Sequence, residues 1–204
     1  MTVEGYNFIM LIQFLRNNTI TRNFIYKKSR KRAQIILDRI TPYIKPDSTI
    51  IDIGAGACNV TELLMEQGYK VTPLDVHNVS FVKNITPVIY GGENIPFKEN
   101  SFDYSIIILV LHHTKDPENI LKEAKRVSNN IVLMEEIYET RLQKYLTHFW
   151  DNLINLEFFV NPHNNKTVLE WETLFKKLDL KLMDTKYHNG DMFPLMKQVT
   201  FFLV

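Results

Sequence analysis

The chain has 204 residues, 45% of them apolar, and its 24 lysines and arginines nearly balance its 23 aspartates and glutamates. This length suits one domain with a substantial core, and a net charge of +1 argues against a dedicated nucleic-acid binder, which needs a basic excess. The single cysteine excludes an intrachain disulfide framework and suits a reducing compartment. We therefore expect a soluble, cytoplasmic protein of one domain.

Two helices are predicted before the first strand. The apolar run from Tyr6 to Leu15 is preceded by Glu4, where a signal peptide would carry positive charge, and no small-residue cleavage site follows. We interpret it as a packed helix. No stretch of the sequence has the eighteen or so apolar residues that span a bilayer. A second helix is predicted from a set of residues with helical spacing: Ala33, Ile36, Ile40 and Tyr43.

A strand, a glycine turn and a helix follow. The apolar run 48–53 predicts a strand buried on both faces, and 59–68 predicts a helix that Gly68 ends. A second strand is predicted over 69–75. Because proline cannot donate to a central ladder, Pro73 is expected where that strand frays.

Further strands alternate with helices. A short strand is predicted over 88–90, a strong one over 102–111 and another over 129–136. A helix starts between the last two, with Asp116 as its cap and Pro117 at its first position. This alternation predicts an α/β fold with a doubly wound parallel sheet.

The C-terminal third is predicted to hold an insertion and an antiparallel edge. An apolar helical face runs through 138–153 and is interpreted as an insertion or lid. Thr167 and Glu170 form a capping box for the last helix. Two closing strands follow, with Gly190 and Pro194 between them.

The glycine turn has the chemistry of a nucleotide site. Glycine at 54 and 56 exposes backbone amides at a helix N-terminus, where a side chain would block a ligand. Asp75 ends the second strand and is positioned for two ribose hydroxyls. A dinucleotide motif would carry a third glycine where Asn59 stands and would open the domain, so the sequence favours another nucleotide class.

Three segments together resemble class I S-adenosylmethionine-dependent methyltransferases of the small-molecule subfamily. They are the run Asp52-Ile-Gly-Ala-Gly-Ala-Cys58, Asp75, and the block 91–127. The likeness covers about 48–136 and resumes weakly in the last helix and strands. It implies a Rossmann-like, mostly parallel seven-stranded sheet with an antiparallel C-terminal strand. As one methyltransferase domain, the chain would comprise an N-terminal helical cap 1–46, a cofactor core 47–136, a helical insertion or lid 137–165, and a C-terminal part 166–204.

The resemblance also implies roles for single residues toward S-adenosylmethionine. Gly54 and Gly56 would make room for its methionine part, with Asp52 near the amino group. Asp75 would hold the ribose. The adenine would be lined by Gly92, Glu93 and Asn94, and the sulfonium methyl would be flanked by Ile108 and Leu109. Two positions depart from the family: Cys58 replaces a glycine, and Gly91 replaces an aspartate that commonly meets the adenine amino group.

The acceptor pocket is expected near the ends of the fourth and fifth strands. His112 or His113 would act there as a general base, or both would only shape the loop. Glu135 raises the same alternatives, as does Glu136, and Tyr138 is assigned to the pocket. The run LVLHH stands in place of the Asn/Asp-Pro-Pro-aromatic signature of methyltransferases that act on adenine or glutamine.

Three remaining features have both a functional and a structural interpretation. Cys58 would be a reactive thiol or, as we favour, a small residue in a glycine position. The basic run 27–32 would be a solvated helix face or a contact for an anionic membrane surface or phosphate. His163 would belong to a turn or reach the acceptor. No histidine pair has helical metal-ligand spacing, so we predict no metal.

Three functional hypotheses follow. The first is S-adenosylmethionine-dependent methyl transfer to a small molecule, with an unassigned catalytic residue. The second is a methyltransferase-like domain that has lost catalysis and serves as a binding subunit. The third is an NAD(P)-dependent enzyme. The oligomeric state and the methylated atom stay open.

Overall fold

The computed structural model describes residues 3–138, 165–190 and 197–204. The chain divides into two compact units, 1–92 and 93–204. Three predicted features lie outside the described residues: the helical face 139–153, His163 and Pro194. Within the described residues, no helix is long and apolar enough to cross a bilayer.

The first unit begins with two helices, as predicted. Helix α1 spans Val3–Asn17 and helix α2 spans Thr19–Ile40. Asn18 separates them, and its side chain caps α2 by accepting hydrogen bonds from two backbone amides. The predicted start of the second helix at Ala33 is wrong, because α2 starts fourteen residues earlier. Lysine and arginine sustain a helix well but contribute no apolar period to the sequence pattern.

The rest of this unit is a parallel strand set around one helix. Its elements are β1 (Thr49–Ile53), α3 (Asn59–Glu66), β2 (Lys70–Asp75) and β3 (Val88–Ile89). Gly68 ends α3 with a φ of 91°, and the Gly68 and Tyr69 amides donate to carbonyls of the last turn. This is the glycine stop that the sequence predicts.

Pro73 does not lie at a frayed end of β2, as the sequence suggested. It is paired with Asp52 inside the β1–β2 ladder. The Leu74 carbonyl accepts hydrogen bonds on the β1 side, so the imide nitrogen of Pro73 faces the opposite side. There β3 pairs only with Leu74 and Asp75. Proline is therefore tolerated without the loss of a ladder bond.

The described part of the second unit contains four strands and two α-helices. In chain order they are β4 (Phe102–Ile108), α4 (Pro117–Val127), β5 (Ser128–Ile137), α5 (Val168–Lys177), β6 (Leu182–Asn189) and β7 (Lys197–Leu203). Both predicted caps are confirmed, at Asp116 for α4 and as a capping box at Thr167 for α5. The ring of Phe175 stacks on Trp171 and contacts Phe201 edge-on, which packs α5 on β7.

The fourth strand is shorter than predicted. It ends at Ile108 because Leu109 has a φ of 57°, which takes the backbone out of the extended region. A 3-10 turn at Leu111–His113 follows. The two histidines therefore lie in this turn, several residues beyond the strand end.

The predicted fold class is confirmed. The seven strands form one sheet in the order β3-β2-β1-β4-β5-β7-β6. Strands β1 to β3 are mutually parallel, and β5 is parallel to β4, whereas β7 is antiparallel to both β5 and β6. The closing pair therefore forms the antiparallel edge that the sequence predicts.

Candidate functional site

The glycine turn after β1 is held by the end of β2. The amides of Gly54 and Ala55 both donate to the Leu74 carbonyl, at 2.8 and 3.1 Å. Gly54 and Gly56 have φ angles of 77° and 51°. A β-carbon at Gly56 would lie 3.9 Å from its nearest neighbour, an ordinary contact. Positive φ, and not crowding within the chain, is thus what requires glycine at this position.

The carboxylate of Asp75 fastens this turn. Its Oδ2 accepts from the Gly56 amide at 2.8 Å, and its Oδ1 accepts from the His77 amide at 3.2 Å. Each carboxylate oxygen has a second lone pair, and the side chain is only half-buried. Asp75 can therefore accept hydrogen bonds from a ligand while it keeps the loop in place.

Asp52 is buried beneath the same turn, with 3% of its surface exposed. Its Oδ2 accepts a 2.5 Å hydrogen bond from the Thr61 hydroxyl. Burial raises the pKa of Asp52 to about 7; the Thr61 bond opposes this shift and the charge of Asp75 adds to it. A cation placed beside Asp52 would favour its ionised form.

Thr61 was not singled out in the sequence. The available signal was its place in the first turn of α3, where side chains face back toward the end of the preceding strand.

Cys58 occupies a glycine conformation, in agreement with the favoured interpretation. It is the cap residue of α3, with a φ of 61°, and its side chain is fully buried. Burial raises the pKa of its thiol to about 12. The thiol therefore stays protonated at neutral pH, which contradicts the alternative of a reactive thiolate.

The predicted adenine contacts are residues 92–94, which directly follow Gly91. Gly92 has a φ of 86°, which disfavours any residue with a side chain, and a β-carbon there would lie 3.3 Å from the Val76 side chain, a tight contact. Nothing lies within 4 Å of a β-carbon at Gly91. The side chains of Glu93 and Asn94 are exposed, and the Glu93 carbonyl accepts from the Asn119 amide group at 2.8 Å.

In the second unit, Glu135 accepts hydrogen bonds from the turn after β4. It is fully buried, and its Oε1 accepts from the amides of Val110 and Leu111 at 3.0 and 2.6 Å. Its Oε2 lies 2.6 Å from Nδ1 of His112. We infer that this bond keeps a proton on Nδ1, which makes Nε2 the basic nitrogen of the neutral ring. The structure thus brings together two of the predicted pocket residues.

The other acceptor-side residues have different surroundings. The Leu109 amide donates to the Met134 carbonyl at 2.7 Å, and Ile108 and Leu109 are half-buried. The His113 ring centroid is 4.0 Å from that of His112. The remaining two contact later elements: Glu136 accepts from Gln198 of β7, and the Tyr138 hydroxyl is 3.5 Å from Glu170 of α5.

Among residues 3–138, 165–190 and 197–204, no three His, Cys, Asp or Glu side chains form a group that could hold an ion. The prediction of no metal stays a prediction.

A segment that includes the glycine turn and Asp75 matches a known protein family. Residues 51–130 match a family model described as a methyltransferase domain. The segment 51–130 is therefore similar to a methyltransferase domain. The matched segment begins in β1 and ends in β5, and it includes the glycine turn, Asp75 and the two histidines.

Other proteins resemble parts of this chain. An uncharacterized protein of Methanocaldococcus jannaschii is 26% identical over 111 residues, which are 48% of this chain and 54% of that protein. A tRNA U34 carboxymethyltransferase of Aliarcobacter butzleri is 27% identical over 114 residues, 50% of this chain and 38% of that enzyme. The chain therefore spans about half or less of the length of these two relatives.

A solved structure shares the fold. The SAM-dependent methyltransferase from Methanosarcina mazei superposes with a TM-score of 0.65 at 17% identity, covering 80% of this chain and 95% of that one. At this identity the likeness extends to the fold of the methyltransferase domain alone.

Proposed function

We propose that this chain transfers the methyl group of S-adenosylmethionine to a small-molecule acceptor. The observation that carries the proposal is the hydrogen bond from the Gly56 amide to the Asp75 carboxylate. This hydrogen bond joins two features that a nucleoside ligand needs. One is a turn without side chains, and the other is a half-exposed acid that can accept further hydrogen bonds. Bound S-adenosylmethionine supplies a methyl group that its sulfonium already activates.

In this proposal the first unit binds the cofactor. Asp75 accepts both ribose hydroxyls on the lone pairs that the Gly56 and His77 amides leave available. Gly54 and Gly56 present bare backbone to the methionine part. Asp52, whose pKa is about 7, ionises in response to the ammonium group of that part.

Residues 92–94 complete the cofactor contacts, and Ile108 and Leu109 flank the methyl group. These assignments follow the family resemblance. The φ of 86° at Gly92 supports them, because it gives the loop an open backbone at that point. The exposed side chains of Glu93 and Asn94 are available to a ligand.

On the acceptor side, His112 is the proposed base and Glu135 its positioning residue. Because Glu135 contacts Nδ1, the basic nitrogen of His112 is Nε2, which would take a proton from an acceptor hydroxyl or acidic carbon. His113 and Tyr138 are proposed as lining residues of the pocket. The run LVLHH, in place of the signature for adenine or glutamine amino groups, supports a small-molecule acceptor.

Calorimetric titration with S-adenosylhomocysteine tests the cofactor assignment. We expect wild-type protein to bind, and we expect Asp75→Asn to bind about 10- to 100-fold more weakly, because it loses charge-assisted hydrogen bonds. Asparagine keeps one oxygen for the Gly56 amide, so the loop should stay folded. Glu99→Gln is the matched control, since Glu99 is an exposed acid outside the proposed site.

The same titration separates the other two hypotheses. Binding of NADH or NADPH without binding of S-adenosylhomocysteine would identify a nicotinamide enzyme. If neither ligand binds to folded wild-type protein, the domain is a binding subunit and the proposal is wrong. Equal losses in Asp75→Asn and Glu99→Gln would remove Asp75 from the site.

A further inference from the structure

The outer face of the N-terminal helices combines large apolar side chains with unpaired lysines. Phe14 of α1 and Ile20 and Phe24 of α2 are 68%, 81% and 69% exposed. Lys27, Lys28 and Lys31 of α2 are also exposed, and none of them has a hydrogen-bond or ion-pair partner among the described residues. We call these six residues the N-terminal surface.

Helical spacing aligns the α2 part of this surface. Counting from Ile20, the other members lie four, seven, eight and eleven positions later, which places them on one side of the helix. The apolar side chains come first along this side, and the lysines follow them. This side of α2 is therefore apolar in its N-terminal part and positively charged in its C-terminal part.

The opposite face of α2 is fixed to the domain. Tyr26 and Arg30 contact Glu62 of α3, and Arg30 also pairs with Glu66 at 2.6 Å. Ala33 and Ile36 are buried. The basic run 27–32 therefore does not act as one patch, because Arg30 is turned inward and the three lysines face outward.

The charge of this region differs from that of the rest of the chain. Between Gly5 and Leu37 the sequence has seven lysines and arginines and no acid. The remaining 17 cations stand against all 23 acids, which leaves the rest of the chain with a net charge of −6. An anionic partner would therefore be attracted to this region in particular.

We propose that the N-terminal surface docks on an anionic lipid membrane. Such a bilayer offers an apolar layer for Phe14, Ile20 and Phe24 and negative headgroups for the lysines beside them. The helices are not long and apolar enough to span it, so they would lie in its interface. Arg16 and Arg22 donate to the carbonyls of Asn78 and Phe81, which holds both helices on the domain while they dock.

Two other partners fit this surface less well. A symmetric dimer would place the same lysine row of each copy on one shared interface, where like charges repel. Single-stranded RNA stacks its bases on aromatic rings, but Ile20, the most exposed apolar residue of the surface, has no ring. A bilayer accepts aromatic and aliphatic side chains alike.

Co-sedimentation with lipid vesicles tests the proposal. We expect wild-type protein to bind vesicles of equal parts phosphatidylcholine and phosphatidylglycerol and not vesicles of phosphatidylcholine alone, with weaker binding at high salt. Lys27→Gln/Lys28→Gln/Lys31→Gln should weaken binding on the order of a hundredfold. Ile20→Ser/Phe24→Ser, which leaves the charge unchanged, should weaken it about tenfold or more.

Matched controls carry the same changes elsewhere. Lys98→Gln/Lys115→Gln/Lys181→Gln removes three exposed lysines outside the surface, and Leu169→Ser/Met183→Ser removes two exposed apolar side chains. Both should bind vesicles like wild type. Circular dichroism of every variant verifies that its fold is intact.

Three results would overturn the proposal. One is wild-type protein that ignores anionic vesicles. Another is light scattering that finds a lipid-free dimer which Ile20→Ser/Phe24→Ser converts to a monomer. The third is binding to single-stranded RNA, without vesicle binding, that the lysine variant abolishes. Because the vesicle assay contains no cofactor, its outcome is independent of the proposed methyl transfer.

Discussion

Asp75 and Glu135 are two carboxylates near the carboxyl ends of parallel strands, and each accepts hydrogen bonds from two backbone amides. Their exposure differs. Asp75 is half-buried and divides its two amides between its two oxygens. Glu135 has no exposed surface, and its second oxygen is committed to His112. Asp75 is therefore still available to a ligand, whereas Glu135 serves only to hold the turn after β4 and His112 in place.

Removal of the Glu135 carboxylate should have the largest effect on stability. Glu135→Ala leaves two amides and Nδ1 of His112 without their acceptor in a buried place, so the free energy of unfolding should fall by about 3–5 kcal/mol. Urea unfolding measures this. Glu136→Gln, at the neighbouring position of β5, should cost less than about 1 kcal/mol, because glutamine keeps the shape of the side chain and an oxygen that can accept from Gln198.

If Glu135→Ala lowers the free energy of unfolding as little as Glu136→Gln does, the hydrogen bonds of Glu135 do not stabilise the fold. If Glu135→Gln keeps the fold but changes the pH profile of turnover, its contact with His112 serves catalysis as well as folding. A role in folding alone would leave that profile unchanged.

Asp52 is a third buried or half-buried acid, and its effect on stability should depend on pH. Its folded-state pKa of about 7 lies above the usual value of 3.8, so its contribution to stability is complete below pH 4 and is lost as the pH rises through 7. Asp52→Asn does not titrate. The variant should therefore gain roughly 3 kcal/mol of unfolding free energy relative to wild type between pH 4 and pH 8.

Urea titrations of both proteins at several pH values measure that gain. At pH 8 the variant should also bind S-adenosylhomocysteine more weakly, because it has no anion for the ammonium group. A stability difference that stays constant with pH would show that Asp52 titrates normally.

The smallest expected effect comes from the backbone of the glycine turn. Gly56→Ala should cost about 1 kcal/mol of stability, because alanine disfavours a φ of 51°. Gly91→Ala should be close to neutral, since its φ is not in the left-handed region and its β-carbon would meet nothing within 4 Å. Thermal unfolding of the two variants compares them. Equal melting temperatures would contradict the conformational argument.

The surroundings of Asp75 were easier to anticipate from the sequence than those of Glu135. The glycine spacing, Asp75 and the position of Cys58 belong to a local strand-turn-helix unit, and such units leave a readable pattern. The contacts of Glu135 depend on the pairing of β4 with β5, which joins residues more than twenty positions apart. No local period reports such a pairing.

The two boundary errors have similar causes. The sequence run 106–111 is apolar throughout and has no glycine or proline at Leu109, so nothing marks the left-handed residue that ends β4. The start of α2 was missed because the basic run 27–32 separates the apolar residues of its first turns from the apolar spacing that begins at Ala33. Both errors concern where an element begins or ends, whereas the elements themselves and their order were predicted.

The Asp75–Gly56 hydrogen bond has a consequence for how affinity and folding depend on each other. Both partners of this bond belong to the chain itself, so holding the turn in this shape requires no contact with a ligand. Preorganisation of this kind moves the entropic cost from the binding step to the folding step. Variants that loosen the turn should therefore weaken binding without touching the ligand, and a saturating ligand should raise the melting temperature.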